Sequence, residues 1–179
     1  MREYKNSAPV WCEVQLTSDS SEDDWKYWYG EKDNGTHPQT CGKTLFMIEK
    51  LERDPSLGHE HVSAVVVRTR EIGISRRTSF REACGRGLEV GYQLLPKHAP
   101  SAIARQCRER GIALPHDNNE RSVRMLAATE PVRVGSFFHA FQMRWGEGES
   151  VCLFEQWVPD PPGGFDWIDP KDLLLFRNL

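Results

Sequence analysis

The chain has 179 residues, of which 39% are hydrophobic and 27% charged, and its net charge is −3 at neutral pH. These proportions are typical of a globular protein, and the length predicts a single domain over residues 1–179. No run of about 18 apolar residues occurs, which excludes a membrane-spanning helix of ordinary length. The first residues lack the apolar core of a signal peptide, so we expect a cytoplasmic protein.

The charge is unevenly distributed along the chain. Residues 61–125 carry 12 basic and 6 acidic side chains, whereas residues 1–60 carry 7 and 12, and residues 126–179 carry 4 and 8. The arginine-rich middle segment has two interpretations. Either it pairs with the acidic ends inside one fold, or it forms a surface for an anionic ligand or nucleic acid.

The five cysteines are widely spaced, odd in number and without a CxxC pair: Cys12, Cys41, Cys84, Cys107 and Cys152. This pattern argues against both a disulfide framework and a zinc knuckle. We therefore expect mostly buried, reduced thiols.

In the first half of the chain, alternation predicts a strand over residues 10–17. A polar, turn-rich stretch follows, and then Leu45, Ile48 and Leu51 predict a short amphipathic helix within residues 43–54. The β-branched run "VSAVVVRT", residues 62–69, is apolar on both faces and predicts a central strand.

The second half begins with helical patterns. Residues 78–95 predict a helix capped by Thr78 or Ser79, and residues 101–111 predict another that ends at Gly111. The stretch "ERSVRMLAA", residues 120–128, predicts a short helix. A hairpin then opens near Val132, and "DPKDLLLF", which starts at Asp169, predicts a terminal helix with Asp169 as N-cap and Pro170 at its first position. Together these elements predict an α+β fold with a mainly antiparallel sheet, a central helical block, and a C-terminal hairpin plus short helix.

One titratable ring, His139, falls in an otherwise apolar strand face. A two-residue hairpin loop at Glu147 and Gly148 would place His139 opposite Gln156 and Phe141 opposite Phe154. The pair of His139 and Gln156 is then either a structural hydrogen bond or the polar base of a ligand pocket with apolar walls. The same pattern predicts that Phe137, Phe141, Phe154 and residues 65–67 belong to the core.

Four aromatic residues lie within the acidic, turn-rich stretch "DDWKYWYGEKDNG". Such rings either cover one edge of the core or form a recognition surface. Our hypothesis is a surface made by Trp25, Trp28 and Tyr29 for a protein partner or a second copy of the chain. The neighbouring carboxylates would steer a basic partner towards it.

Two further sets of residues are candidate sites. His61 with His116 or Asp117 could serve a small hydrolase or nuclease, with or without a metal, because imidazole and carboxylate are common metal ligands and general bases. Arg76, Arg77 and Arg81 are candidate anion-binding residues in the basic middle segment.

None of the sequence motifs of phosphate loops, dinucleotide-binding folds, serine hydrolases or zinc proteases occurs. We therefore expect no cofactor and no resident metal, and we favour a non-catalytic binding or protein-interaction module over an enzyme. The alternatives are the histidine-based hydrolase or nuclease and a nucleic-acid-binding protein that uses the arginine-rich middle segment.

Overall fold

A single large sheet organises the chain. The computed structural model describes residues 8–17, 25–29, 42–52, 60–112, 124–145, 151–158 and 167–178. Seven strands form the large sheet: β1 (Val10–Leu16), β2 (Glu60–Arg68), β4 (Met125–Ala127), β5 (Val132–Val134), β6 (Phe137–Trp145), β7 (Val151–Val158) and β9 (Leu173–Arg177). Two short strands, β3 (Thr78–Ser79) and β8 (Trp167–Ile168), form a separate antiparallel pair.

The strand order is β1-β2-β9-β4-β6-β5, and β7 also pairs with β6. Because β7 pairs with β6 along its whole length, β4 and β5 must share the opposite edge of β6. Every pairing is antiparallel except that of β4 with β9. The predicted α+β class with a mainly antiparallel sheet is therefore confirmed. Residues 62–68 of the predicted central strand lie in β2, between β1 and β9, whereas Thr69 begins η1.

Helices lie on both faces of the sheet. They are α1, described over residues 25–29, α2 (Gly42–Glu52), α3 (Phe80–Glu89), α4 (Ala99–Arg110) and a 3₁₀ turn, η1 (Thr69–Ile72). One core contains the buried residues of α2 and α4, and a second contains those of α3 and η1. The sheet thus separates two hydrophobic cores, and its central strands are buried on both sides.

Two predicted helices are strands in the structure. The second half of the predicted terminal helix belongs to β9 (Leu173–Arg177), which sends Leu173 and Leu175 into the α4 core and Leu174 and Phe176 into the α3 core. Residues 125–127 form β4, in which all three side chains are buried. Both predictions were wrong for one reason: a short apolar run that is buried on two faces has no period that separates strand from helix.

The register of the β6–β7 hairpin differs by one residue from the prediction. His139 lies opposite Trp157, and Gln156 lies opposite Ala140. The predicted two-residue loop is therefore wrong, because pairing from Trp145 and Val151 leaves five residues between the strands. A shift of one residue moves every partner to the other face.

The predicted core residues separate into two groups. Phe141, Val65 and Val67 are fully buried. Phe154 and Val66 are only partly buried, and Phe137 is 55% exposed, so its assignment to the core was wrong. Phe137 instead packs edge to face on Trp157, with 6.0 Å between the ring centroids.

The start of α3 and the end of α4 are capped by residues that the sequence predicted. Ser79 caps α3 by accepting a hydrogen bond from the backbone N–H of Glu82. Gly111 ends α4 with a positive φ of 62°. Strand β2 is followed directly by η1, which ends at Gly73 with a φ of 80°.

Candidate anion-binding cleft

The first wall of the candidate site is η1 and the loop after it. Thr69 and Ile72 are buried and anchor the turn. The Glu71 carboxylate accepts a hydrogen bond from the backbone N–H of Arg68, and the N–H of Ile74 donates to the carbonyl of Thr69. These hydrogen bonds leave the side chain of Arg70 exposed on the outer side of the turn.

The second wall is the turn between β8 and β9. The N–H of Asp172 donates to the carbonyl of Asp169, and the N–H of Asp169 donates to the Asp172 carboxylate at 2.8 Å. Thr69 joins the walls, because its hydroxyl donates to the carbonyl of Asp169 at 3.1 Å and its N–H donates to the carbonyl of Asp172. Both walls are therefore held by backbone hydrogen bonds.

A buried ion pair supports the second wall from behind. The guanidinium of Arg124 donates to both carboxylate oxygens of Asp172, at 3.1 Å to Oδ1 and 2.7 Å to Oδ2. It also donates to the carbonyl of Trp167 and to Gln156 Oε1. The Asp172 side chain is 2% exposed, so this bidentate pair fixes the turn in one position.

Between these walls lies a cleft of about 390 Å³, which we call the basic cleft. Its lining consists of Arg68, Arg70, Gly73, Ile74, Ser75, Pro170 and Lys171. Its described residues supply three cationic side chains, one hydroxyl and no carboxylate. Among described residues, no carboxylate lies within 4.0 Å of the charged groups of Arg70 or Lys171.

The nearby carboxylates are already engaged with other groups. Asp172 is held by Arg124, Asp169 accepts from Arg77 Nε at 2.8 Å, and Glu71 caps the turn. The charges of Arg70 and Lys171 are therefore not neutralised locally by the carboxylates that the structure describes. A concave site with guanidinium, ammonium and hydroxyl donors is suited to an oxyanion such as phosphate.

Comparison with protein-family models, curated protein sequences and solved structures finds no match for this chain.

The predicted anion-binding arginines lie beside the basic cleft rather than in its lining. Arg76 and Arg77 are exposed in the loop that leaves it, and Arg77 is paired with Asp169. Arg81 is exposed on α3. Arg68 and Arg70 belong to the same basic segment and could be suspected from composition. Lys171 had no such signal, because only the fold brings it next to them.

The two interpretations of the basic segment each describe part of it. Arg77 pairs with Asp169 and Arg124 with Asp172, so some of these arginines do pair with the acidic C-terminal segment. Lys97 likewise pairs with Glu130 at 2.9 Å. Arg70, which lines the basic cleft, is a residue of this segment that these described carboxylates do not reach.

His139 and Gln156 do not form the predicted pair. His139 is 5% exposed and lies on the α4 face of the sheet with Phe141. Gln156 lies on the other face, opposite Ala140, and its side chain contacts Arg124 at 3.3 Å. A polar pocket base made by these two residues is therefore excluded. Gln156 instead supports the arginine behind the basic cleft.

The residues of the predicted aromatic surface differ in how far their side chains are buried. Trp28 is fully buried, which places it in the α4 core, where the Arg108 guanidinium lies 5.7 Å from the ring centroid. Trp25 and Tyr29 stack with 4.9 Å between their centroids, and Tyr29 is 42% exposed. Trp28 is thus not accessible to a partner, while Tyr29 is.

The histidine-based site is only partly described. His61 is exposed on β2, opposite Gln15 of the edge strand. His116 and Asp117 lie outside the described residues. Within the described ranges, no three histidine, cysteine or carboxylate side chains come together in a metal-binding group, and no helix is long and apolar enough to cross a membrane.

Proposed function

We propose that this chain is a non-catalytic binding module that holds an oxyanion of the phosphate type in the basic cleft. The observation that carries the proposal is the convergence of Arg70 and Lys171, about 100 residues apart in sequence, on one cleft whose described lining residues include no carboxylate. A hydrogen bond to a charged group contributes roughly 1.5–3 kcal/mol, so two or three such donors support measurable binding.

The rigidity of both walls supports binding rather than catalysis. Backbone hydrogen bonds and the pair of Arg124 and Asp172 hold the donors in place before a ligand arrives, which lowers the ordering cost of binding. In the part of the chain that the structure describes, neither a histidine nor a cysteine lines the cleft to act as a base or a nucleophile. We also propose a cytoplasmic location, because the four described cysteines are free thiols, as expected in a reducing compartment.

Calorimetric titration with inorganic phosphate, pyrophosphate and a phosphoserine peptide, at constant ionic strength, tests the proposal. We expect saturable binding of at least one of these ligands, weakened about tenfold by Arg70→Gln or Lys171→Gln, since each loses one charged donor. Arg86→Gln is the matched control, because Arg86 is an exposed arginine on α3 outside the basic cleft. Equal binding by all variants would refute the site.

A parallel titration separates the two alternative functions. Binding of a generic single-stranded oligonucleotide that weakens steeply with salt would favour a nucleic-acid-binding protein. Stoichiometric zinc or manganese in protein purified without added metal would favour the metal-dependent hydrolase that uses His61, His116 or Asp117.

A protein partner remains part of the proposal at the stacked rings of Trp25 and Tyr29. Tyr29→Ala removes exposed aromatic area, whereas Trp28→Ala removes a buried ring. If the rings bind a partner or a second copy, Tyr29→Ala lowers association and leaves the melting temperature unchanged. Trp28→Ala, in contrast, lowers the melting temperature.

A further inference from the structure

The strand pair of β3 and β8 connects the basic cleft to an exposed tryptophan. Strand β3 begins shortly after Ser75, and β8 ends shortly before Pro170, so both strands leave the cleft from residues that line it. At the far end of the pair, Ser79 lies opposite Trp167. The chain that forms both walls of the cleft therefore also positions Trp167.

The side chain of Trp167 lies on the outer face of this strand pair. Thr78 and Ile168 lie opposite each other and are buried on the inner face. Because successive side chains of a strand alternate between its faces, Trp167 and Asp169 share the outer face with Arg77. The ion pair of Arg77 Nε with Asp169 Oδ1 at 2.8 Å lies on this outer face. Trp167 is 44% exposed there, so its ring is accessible to a ligand.

One arginine fixes both the tryptophan and the second wall of the cleft. The guanidinium of Arg124 donates to the carbonyl of Trp167 and to both carboxylate oxygens of Asp172. The backbone on both sides of the β8–β9 turn is thus held by the same group. A strand rises about 3.3 Å per residue, so the three steps from Trp167 to Pro170 place the tryptophan about 10 Å from the cleft.

A flat ring at this separation from a group of cations matches the two ends of one kind of ligand. Nucleic-acid bases stack on exposed aromatic side chains, whereas phosphates bind guanidinium and ammonium groups. A nucleoside di- or triphosphate carries its base and its terminal phosphate at the two ends of one compact molecule. Its length is comparable to the distance between Trp167 and the cleft.

We propose, on the basis of the oxyanion site proposed above, that the ligand of the basic cleft is a nucleoside di- or triphosphate. Its phosphates bind Arg70 and Lys171, and its base stacks on Trp167. The whole chain has a net charge of −3, whereas domains that bind long nucleic acids are usually strongly basic. The overall charge therefore favours a free nucleotide over a long strand.

Calorimetric titration with ADP and with ribose 5-diphosphate, which lacks only the base, tests this assignment on the full chain. We expect both ligands to bind, with ADP about tenfold tighter, because only ADP gains the stacking of its base. Arg70→Gln should weaken both ligands, since both place phosphates in the basic cleft. Equal affinity of the wild-type chain for the two ligands overturns the nucleotide assignment and leaves the oxyanion site standing. Binding of neither ligand overturns both.

Variants of the tryptophan locate the effect. Trp167→Ala should weaken ADP about tenfold, to the level of ribose 5-diphosphate, and leave ribose 5-diphosphate unchanged. Trp167→Phe should retain most of the ADP affinity, because a phenyl ring still stacks on the base. Trp157→Ala is the matched control, since Trp157 is 39% exposed on β7 and does not belong to the β3–β8 pair. It should bind ADP as the wild-type chain does.

Two other outcomes of the same experiment also overturn the nucleotide assignment. In the first, Trp167→Ala weakens ADP and ribose 5-diphosphate equally, so the ring supports the wall instead of the base. In the second, a 5′-phosphorylated oligoadenylate binds more tightly than ADP and with a steep salt dependence, which identifies a nucleic-acid strand as the ligand. Circular dichroism verifies the fold of each variant, and if Trp167→Ala unfolds, the wild-type comparison of the two diphosphates decides by itself.

Discussion

At the scale of single residues, Asp172 holds the second wall of the basic cleft in place. Its carboxylate is 2% exposed and accepts hydrogen bonds from Arg124 and from the N–H of Asp169. Asp172→Ala leaves a partly buried guanidinium without its partner, so we expect a loss of about 3 kcal/mol in the free energy of unfolding. Urea denaturation measures it.

Arg77→Gln is the control for this prediction. It removes an ion pair of similar length to Asp169, but the Arg77 side chain is 69% exposed. Exposed ion pairs contribute little, so we expect a loss below about 1 kcal/mol. Equal losses for the two variants would show that burial of the Asp172 pair does not matter.

Cys84 gives a pH-dependent prediction at the same scale. Burial disfavours the thiolate and raises the pKa of Cys84 from its ordinary value of 9.0, which we take for the unfolded chain, to about 12 in the folded protein. Above pH 9 the unfolded state therefore binds fewer protons than the folded state, and stability falls as the pH rises towards 12. At pH 10, one unit above the unfolded pKa, this thiol alone contributes a loss of about 1.4 kcal/mol.

Urea denaturation at pH 8 and pH 10 measures that loss as a double difference. The wild-type chain should lose more stability between the two pH values than Cys84→Ala does, whatever the alanine costs at pH 8. The same loss in both proteins would mean that the Cys84 thiol ionises as readily in the folded state as in the unfolded state.

At the scale of elements, α3 rests on β9 through a glycine. A Cβ at Gly87 would overlap the ring of Phe176, whereas a Cβ at Gly85 would meet no atom within 4 Å. We expect Gly87→Ala to cost roughly 1–3 kcal/mol, because the helix must move off the sheet. In Gly85→Ala the helix propensity of alanine dominates, and we expect a gain of roughly 0.5–1 kcal/mol. Thermal or urea unfolding of this matched pair checks both signs.

The same elements show how far local pattern carries a prediction. The strand β2 and the cap of α3 at Ser79 could be predicted, because their signals are contained within a few residues. The strands β4 and β9 could not, because "MLA" and "LLLF" are buried on both faces and show no period. The hairpin register depends on the loop between Trp145 and Val151, and the sequence admits more than one loop length there.

The basic cleft belongs to the scale of the whole molecule, which is why only part of it could be predicted from the sequence. Charge distribution pointed to the middle segment, and Arg68 and Arg70 lie in it. Asp169 and Asp172, which pair with Arg77 and Arg124, belong to the acidic C-terminal segment. Lys171, which completes the lining, comes from the same segment. Only the placement of the β8–β9 turn against η1 brings Lys171 next to Arg70 and away from the described carboxylates.

The division of the core by the sheet leads to a last prediction, that residues 1–179 unfold as one domain. Strand β9 contributes Leu173 and Leu175 to the α4 core and Leu174 and Phe176 to the α3 core, so neither core can open without loosening the other. Hydrogen exchange in increasing urea should therefore show α3 and α4 losing protection at the same midpoint.

One variant on each face of the sheet tests whether the two cores unfold in one step. Phe141→Ala removes a fully buried ring from the α4 core and should cost roughly 3–5 kcal/mol. Gly87→Ala disturbs the α3 core on the opposite face. In one cooperative unit, each variant lowers the midpoint of both helices equally, because each acts on the same global unfolding step. A midpoint that falls for α4 but stays unchanged for α3 in Phe141→Ala would divide the chain into two separately stable parts.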